Sequence, residues 1–149
     1  MIETERLTIR PPTADETKQL FELWIEPANE RIDFAPERPS NEQVRRWLES
    51  AWGVWERETG ELVGDCSLSF DQGFQEWELS YGFRRDRWGL GYATEAGEAC
   101  VRYGFEVLGV EKVVADVDPA NTSSAHLLEK LGFRRTGEVG GKLFYERTR

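Results

Sequence analysis

The chain is 149 residues long, which fits one domain, 1–149, with room for a core and a cleft. Its 28 acidic residues against 19 Lys and Arg give a formal charge of -9, which argues against a nucleic-acid binder, whose phosphate contacts need clustered cations. One histidine, His126, and two cysteines in apolar runs, Cys66 and Cys100, offer no ligand set for a metal.

The acidic balance suits solubility, and equally a cationic partner such as an amine. The opening MIETERLTIRPP lacks the apolar stretch of a signal peptide, and no segment approaches the ~18 apolar residues of a membrane span. A cytoplasmic protein with no membrane partner is expected.

Arg6 to Arg10 alternates and stops at Pro11-Pro12, a short first strand. Thr13 to Glu26 opens with a capping-type Thr and two acids, and Leu20, Leu23 and Trp24 share a face, which predicts a helix. Pro27 to Pro39 is an irregular loop, and Ser40 to Ser50 predicts a second helix. The period then changes. Trp52 to Arg57 and Glu61 to Phe70 form a hairpin around Thr59-Gly60. Glu76 to Phe83, EWELSYGF, is the next strand, with Trp77, Leu79, Tyr81 and Phe83 on one face and Glu76, Glu78, Ser80 and Gly82 on the other. TEAGEACVRYGFEVLG is a long helix closed by Gly109. Lys112 to Val117 is an interior strand, Thr122 to Leu131 a helix, and Phe133 to Glu138 and Leu143 to Thr148 the last two strands. The order β-α-α-β-β-β-α-β-α-β-β predicts an α/β chain built on a mixed sheet with helices on both faces.

Two segments carry the chemistry. RRDRWGLGYATEA, Arg84 to Ala96, joins a strand to a helix through two glycines and an alanine. Glycine permits a tight turn and close ligand approach, and the first helical N–H groups, lacking intrahelical partners, can bind a pyrophosphate. Arg84, Arg85 and Arg87 add local positive charge. Neither a Walker A loop nor a GxGxxG dinucleotide fingerprint is present. Downstream, Asn121 and Ser124 begin a helix after a strand end, where they can cap the helix or bond an elongated polar ligand.

WGLGYATEA together with NTSSAHLLEKLGFRRTGE resembles the GNAT superfamily of N-acetyltransferases, and with ERLTIRPPTADE it looks most like the branch holding the ribosomal-protein N-terminal acetyltransferases. The resemblance runs from Glu5 to the last strand. It implies a seven-stranded, mostly antiparallel sheet with about four helices, in which the fourth and fifth strands, EWELSYGF and KVVADV, splay apart to admit pantetheine. It implies acetyl-CoA as cosubstrate, held by Phe83, Arg84, Trp88, Gly89, Leu90, Gly91, Tyr92, Ala93, Thr94, Asn121 and Ser124. Trp88 stands where many members carry Gln or Arg, and Leu128 where many carry a tyrosine acid.

Acyl transfer to an amine needs a base, a stabilised thioester oxygen and a proton for the departing thiolate. Glu78 is the expected base, directly or through water, with Glu76 the same-face alternate. Ser124 is the expected substitute acid, and Tyr145 a looser one. Backbone N–H groups near Leu79 or Ser80 suit the thioester oxygen. His126 fits a coenzyme-side position better than catalysis. Glu26, Glu30, Asp33, Glu37 and Phe34, in or beside the loop, suit an amine ligand, a peptide N-terminus before a small amine. A non-catalytic acyl-CoA-binding domain is the alternative, and the assembly is expected to be a monomer or homodimer.

Overall fold

The computed structural model describes residues 1–25, 42 and 50–149. The expected loop at 27–39 and most of the helix expected at 40–50 lie outside them, with the acids and the phenylalanine named there. Eight strands form one sheet: β1 Ile2–Glu3, β2 Leu7–Arg10, β3 Gly53–Glu56, β4 Leu62–Asp71, β5 Glu76–Phe83, β6 Lys112–Val117, β7 Arg134–Val139 and β8 Lys142–Thr148. Their spatial order is β1-β2-β3-β4-β5-β6-β8-β7. All seven expected strands are present. The eighth, β1, adds two residues antiparallel to β2, and so short a piece carries no periodic signal. Among the described residues the helices are α1 Ala14–Ile25, α2 Tyr92–Glu106 and α3 Thr122–Lys130, with a 3-10 turn at Arg85–Arg87.

Local chemistry sets the boundaries. Helix α1 starts with a capping box: the Glu16 N–H donates to Thr13 Oγ1, and the Thr13 N–H donates to Glu16 Oε1 at 2.9 Å. Arg10 forks onto the same carboxylate and holds Glu16 well below the usual carboxylate range, at about 2. Helix α2 ends at Glu106 with Val107 as its C-cap, so Gly109, at φ 69°, turns the chain one residue beyond the C′ position expected for it. Asn121 caps α3, its Oδ1 accepting the Ser124 N–H at 3.1 Å.

The core lies between the sheet and helices α2 and α3. Leu79, Tyr81 and Phe83 of β5 meet Ala96, Cys100 and Phe105 of α2, and Leu127 and Leu128 of α3. Both cysteines are buried thiols, not joined in a disulfide, and the Cys100 thiol donates to the Cys66 carbonyl at 3.6 Å. Helix α2 rides very close on its neighbours. A Cβ at Gly97 would stand 2.7 Å from Leu131 Cδ1, and one at Gly104 2.6 Å from Leu68 Cδ1. Inside the sheet, a Cβ at Gly64 would lie 2.3 Å from the Gly82 carbonyl oxygen. That neighbour is backbone and cannot rotate away. Gly64→Ala is therefore expected to destabilise the fold by about 1–3 kcal/mol, the usual cost of overpacking. An unchanged denaturant midpoint would contradict this.

Candidate active site

The sheet opens at one seam. Strand β5 pairs antiparallel with β4 along its whole length, from Glu76 opposite Asp71 to Phe83 opposite Gly64. Its parallel pairing with β6 is confined to Trp77 opposite Val113 and Glu78 opposite Val114. Beyond Glu78 the two strands part. The Arg84 N–H donates to the Val63 carbonyl at 2.9 Å, so antiparallel alternation points the backbone groups of Leu79, Tyr81 and Phe83 away from β4 and into the gap. The Trp88 indole N–H takes one of them, donating to the Phe83 carbonyl at 2.8 Å.

At the open end of the gap the chain makes its glycine turn. Gly89 and Gly91 both have positive φ, 79° and 82°, where a side chain would be strained. The first backbone bond of α2 is Glu95 N–H to Gly91 C=O, so the N–H groups of Tyr92, Ala93 and Thr94 have no partner in the helical ladder. A cavity of about 280 Å³ opens here. Phe83 and the segment from Arg87 to Thr94, Leu90 excepted, line one side of it, Arg87 and Tyr92 among them, and Ser123, His126, Leu127 and Lys130 of α3 the other. The two sequence segments thus meet across one space.

Asn121 and Ser124, at the start of the same helix, are not among the residues that line the cavity. Ser124 is fully buried, and its hydroxyl is hydrogen-bonded to the Tyr81 phenol. Asn121 is 9% exposed, and its Nδ2 is buried without a partner among the described residues. A buried amide without an acceptor is costly, which makes Asn121 a candidate partner for a ligand carbonyl.

The opposite face of β5 is acidic. Glu78 sits where the strands part and forms no ion pair among the described residues. Burial, then the Asp116 and Asp71 charges, push its carboxyl up to about 7 against the pull of Lys142. Glu76, the alternate, is engaged by Lys112 at 3.1 Å.

The acetyltransferase (GNAT) domain family matches residues 6–134. The chain belongs to that family. A GNAT relative, the uncharacterized N-acetyltransferase p20 of Bacillus licheniformis, is 29% identical over 146 residues, covering 90% of this chain and 82% of its own. An acetyltransferase structure from Agrobacterium tumefaciens superposes with a TM-score of 0.81 at 26% identity, covering 99% of this chain and 94% of the other. The expected branch is not singled out. A spermidine N(1)-acetyltransferase of Escherichia coli is 39% identical over 56 residues, 38% of this chain and 30% of its own. A ribosomal-protein-S5-alanine acetyltransferase from Vibrio fischeri shares the fold at a TM-score of 0.77 and 17% identity, covering 98% and 94% of the two chains. This GNAT chain is an acetyl-CoA-dependent acetyltransferase acting on an amine. Among the described residues no acid, histidine and cysteine cluster could hold a metal, and no helix is long and apolar enough to cross a membrane.

Against this GNAT frame, several expected residues sit differently. Arg84 forks onto Asp86, with Nη2 at 2.8 Å, and its amide is spent on Val63. Arg87 is bound by Glu56, Asp86 and Glu61. Arg85 instead stacks on Trp88, 5.2 Å from the ring centroid. Leu90 is exposed, and its carbonyl accepts from Arg6 Nη1 at 2.8 Å. Tyr92 lines the cavity as expected and also packs into the core. Tyr145 is 3% exposed in the same core, opposite Ala115 and away from the Glu78 face. Leu128, at the tyrosine position of many relatives, is fully buried. Ser123 and Lys130 line the cavity and were not expected. Helical spacing from Ser123 through Leu127 to Lys130 would have placed them on one face.

Gly91→Glu would put a strained, anionic side chain at the cavity mouth. It is expected to weaken coenzyme A binding at least 100-fold in calorimetry, and near-native affinity would show that the anion lies elsewhere.

Proposed function

We propose that the chain moves the acetyl group across the β5–β6 seam to a primary amine that enters on the Glu78 face. The observation that carries this reading is Glu78 itself, a half-buried carboxyl at the parting of the strands whose pKa is pushed up to about 7. A group poised there can accept a proton near neutral pH and release it again. Acetyl-CoA supplies the acyl group as a thioester. The N–H groups of Tyr92, Ala93 and Thr94, with Gly89 and Gly91 leaving room, hold its pyrophosphate, and Asn121 Nδ2 meets a polar atom of its arm.

Glu78 takes a proton from the acceptor ammonium, directly or through water, which leaves the neutral amine free to attack the thioester carbon. Backbone N–H groups of β5 directed into the gap receive the developing negative charge on oxygen. Ser124 gives its proton to the departing sulfur as the carbon–sulfur bond breaks, and Tyr81, hydrogen-bonded to it, passes its own proton to the serine and regains one from solvent, to which Glu78 releases the proton it took from the amine. The residue pair thereby fills the role left empty by Leu128.

For the acceptor, the resemblance of ERLTIRPPTADE and NTSSAHLLEKLGFRRTGE to the ribosomal-protein branch supports a peptide N-terminal amine. A second reading is favoured by one observation: Asp71, Asp116 and Glu76 all act on Glu78, and so acidic a face would welcome a small amine carrying further cations. A thiol-release screen with acetyl-CoA against N-terminal peptides and small polyamines separates the two.

Glu78→Gln is expected to lower kcat about 100-fold and leave coenzyme affinity unchanged, within the range for losing a general base. Native kcat should climb as pH rises through about 7, because the base works only when deprotonated, and the variant should lose that inflection. Turnover within a factor of about two of native across the pH range would remove Glu78 from the role.

A further inference from the structure

The glycine turn has almost nothing packed on it. Gly89 has no atom within 4 Å of the place a Cβ would take, and Trp88 and Leu90 are exposed. Yet its amides must hold one geometry to bind an anion without a large ordering cost. Something outside the turn must fix it.

Glu56, at the end of β3, is that anchor. It is 8% exposed and touches both ends of the turn at once. Its Oε2 accepts from Arg87 Nε at 3.2 Å, just before Trp88, and from the Tyr92 hydroxyl at 2.6 Å, just after Gly91. Its Oε1 accepts from Thr59 Oγ1 at 2.7 Å, which orients the carboxylate. The donors, Tyr92 and Thr59 foremost, hold the Glu56 carboxyl below its usual range. A buried carboxylate is expensive unless each oxygen is paired, and here both are. The opposite side is held by a second strut. Arg6 donates Nη1 to the Leu90 carbonyl at 2.8 Å and Nε to Glu95 at 2.7 Å.

We propose that Glu56 is a positioning residue for coenzyme binding, stapling Arg87 to Tyr92 across the turn so that its amides are ordered before the anion arrives. This rests on the reading of the turn as the coenzyme A site. In consequence Arg87, which also lines the cavity, is held by Glu56 as part of the turn's shape. Glu56 does not touch the acyl group, so its loss acts on affinity and leaves the chemical step alone.

Three measurements test this, with the native chain as reference. Glu56→Gln keeps the size but replaces one acceptor oxygen by a donor, and Tyr92→Phe removes only the far bond. Calorimetry with coenzyme A should show Kd raised about tenfold in Glu56→Gln and about threefold in Tyr92→Phe. Steady-state kinetics of Glu56→Gln should show KM for acetyl-CoA rising in step, with kcat within a factor of about two. In the free protein, hydrogen exchange of the Arg87, Trp88 and Glu95 amides, which donate to the Arg84, Arg85 and Gly91 carbonyls at the two ends of the turn, should speed up in both variants while the β4–β5 amides keep their native protection. Native Kd in both variants, or a kcat loss at native KM, overturns the staple. So does exchange that accelerates evenly across the sheet, which marks a general loss of stability. A native chain that fails to bind coenzyme A overturns the site reading, whereas the exchange result in the free protein judges the staple by itself.

Discussion

Everything at this site follows from a register that is allowed to fail. Strand β5 holds β4 over its full length and β6 over only two residue pairs. An edge that its neighbouring strand does not pair would normally be a fault, because buried backbone groups need partners. Here the full β4 ladder holds β5 while β6 leaves most of its other edge open. Such an edge is a strand-pairing surface suited to an extended ligand. Trp88 covers the carbonyl nearest the mouth, which limits the cost at the most exposed point.

The period of the strand then divides the chemistry. Residues alternate between faces, so one strand delivers Glu78 to the acidic face and Tyr81 to the helical face. In the proposed mechanism a proton taken on one side and supplied on the other need not share a pathway, and the two groups need not share an environment. Burial and neighbouring acids raise the carboxyl of Glu78, a penalty that the fold would be rid of if Glu78 were glutamine. Keeping that strain at the parting of the strands is consistent with a site retained for its chemistry at some cost in stability.

The sequence made the fold readable wherever period or punctuation was strong. EWELSYGF alternates cleanly, and α2 and α3 end near glycines with the expected backbone angles. The two-residue β1 escaped because two residues have no period. The extent of β5–β6 pairing could come only from resemblance, since composition and alternation say which face a residue takes and nothing of how long two strands stay together. The arginines show what a local reading leaves out. Arg84, Arg85 and Arg87 read as local positive charge in a linear text, and Arg87 does line the cavity, but Glu56 and Glu61, far upstream, fold against Arg87. Long-range pairing of charges leaves no local mark. The same blindness hid Glu56, an unremarkable acid in a hairpin strand.

Those captured arginines explain how a chain of net charge -9 can host a highly anionic cosubstrate. Mobile cations on a bare loop would draw the anion in, but they would also be drawn to the many carboxylates around them, as Arg84 and Arg87 are. Backbone N–H groups escape that competition, because they are fixed in direction and carry no side chain that can swing to an acid. A turn built on amides is therefore the better solution for an acidic protein, provided its shape is held from outside. The carboxylates that neutralise the arginines supply that hold. Glu56 and Glu95 bond the residues that flank the turn, and in the proposed reading the same acids that would repel a phosphate at close range instead set the dipoles that receive it.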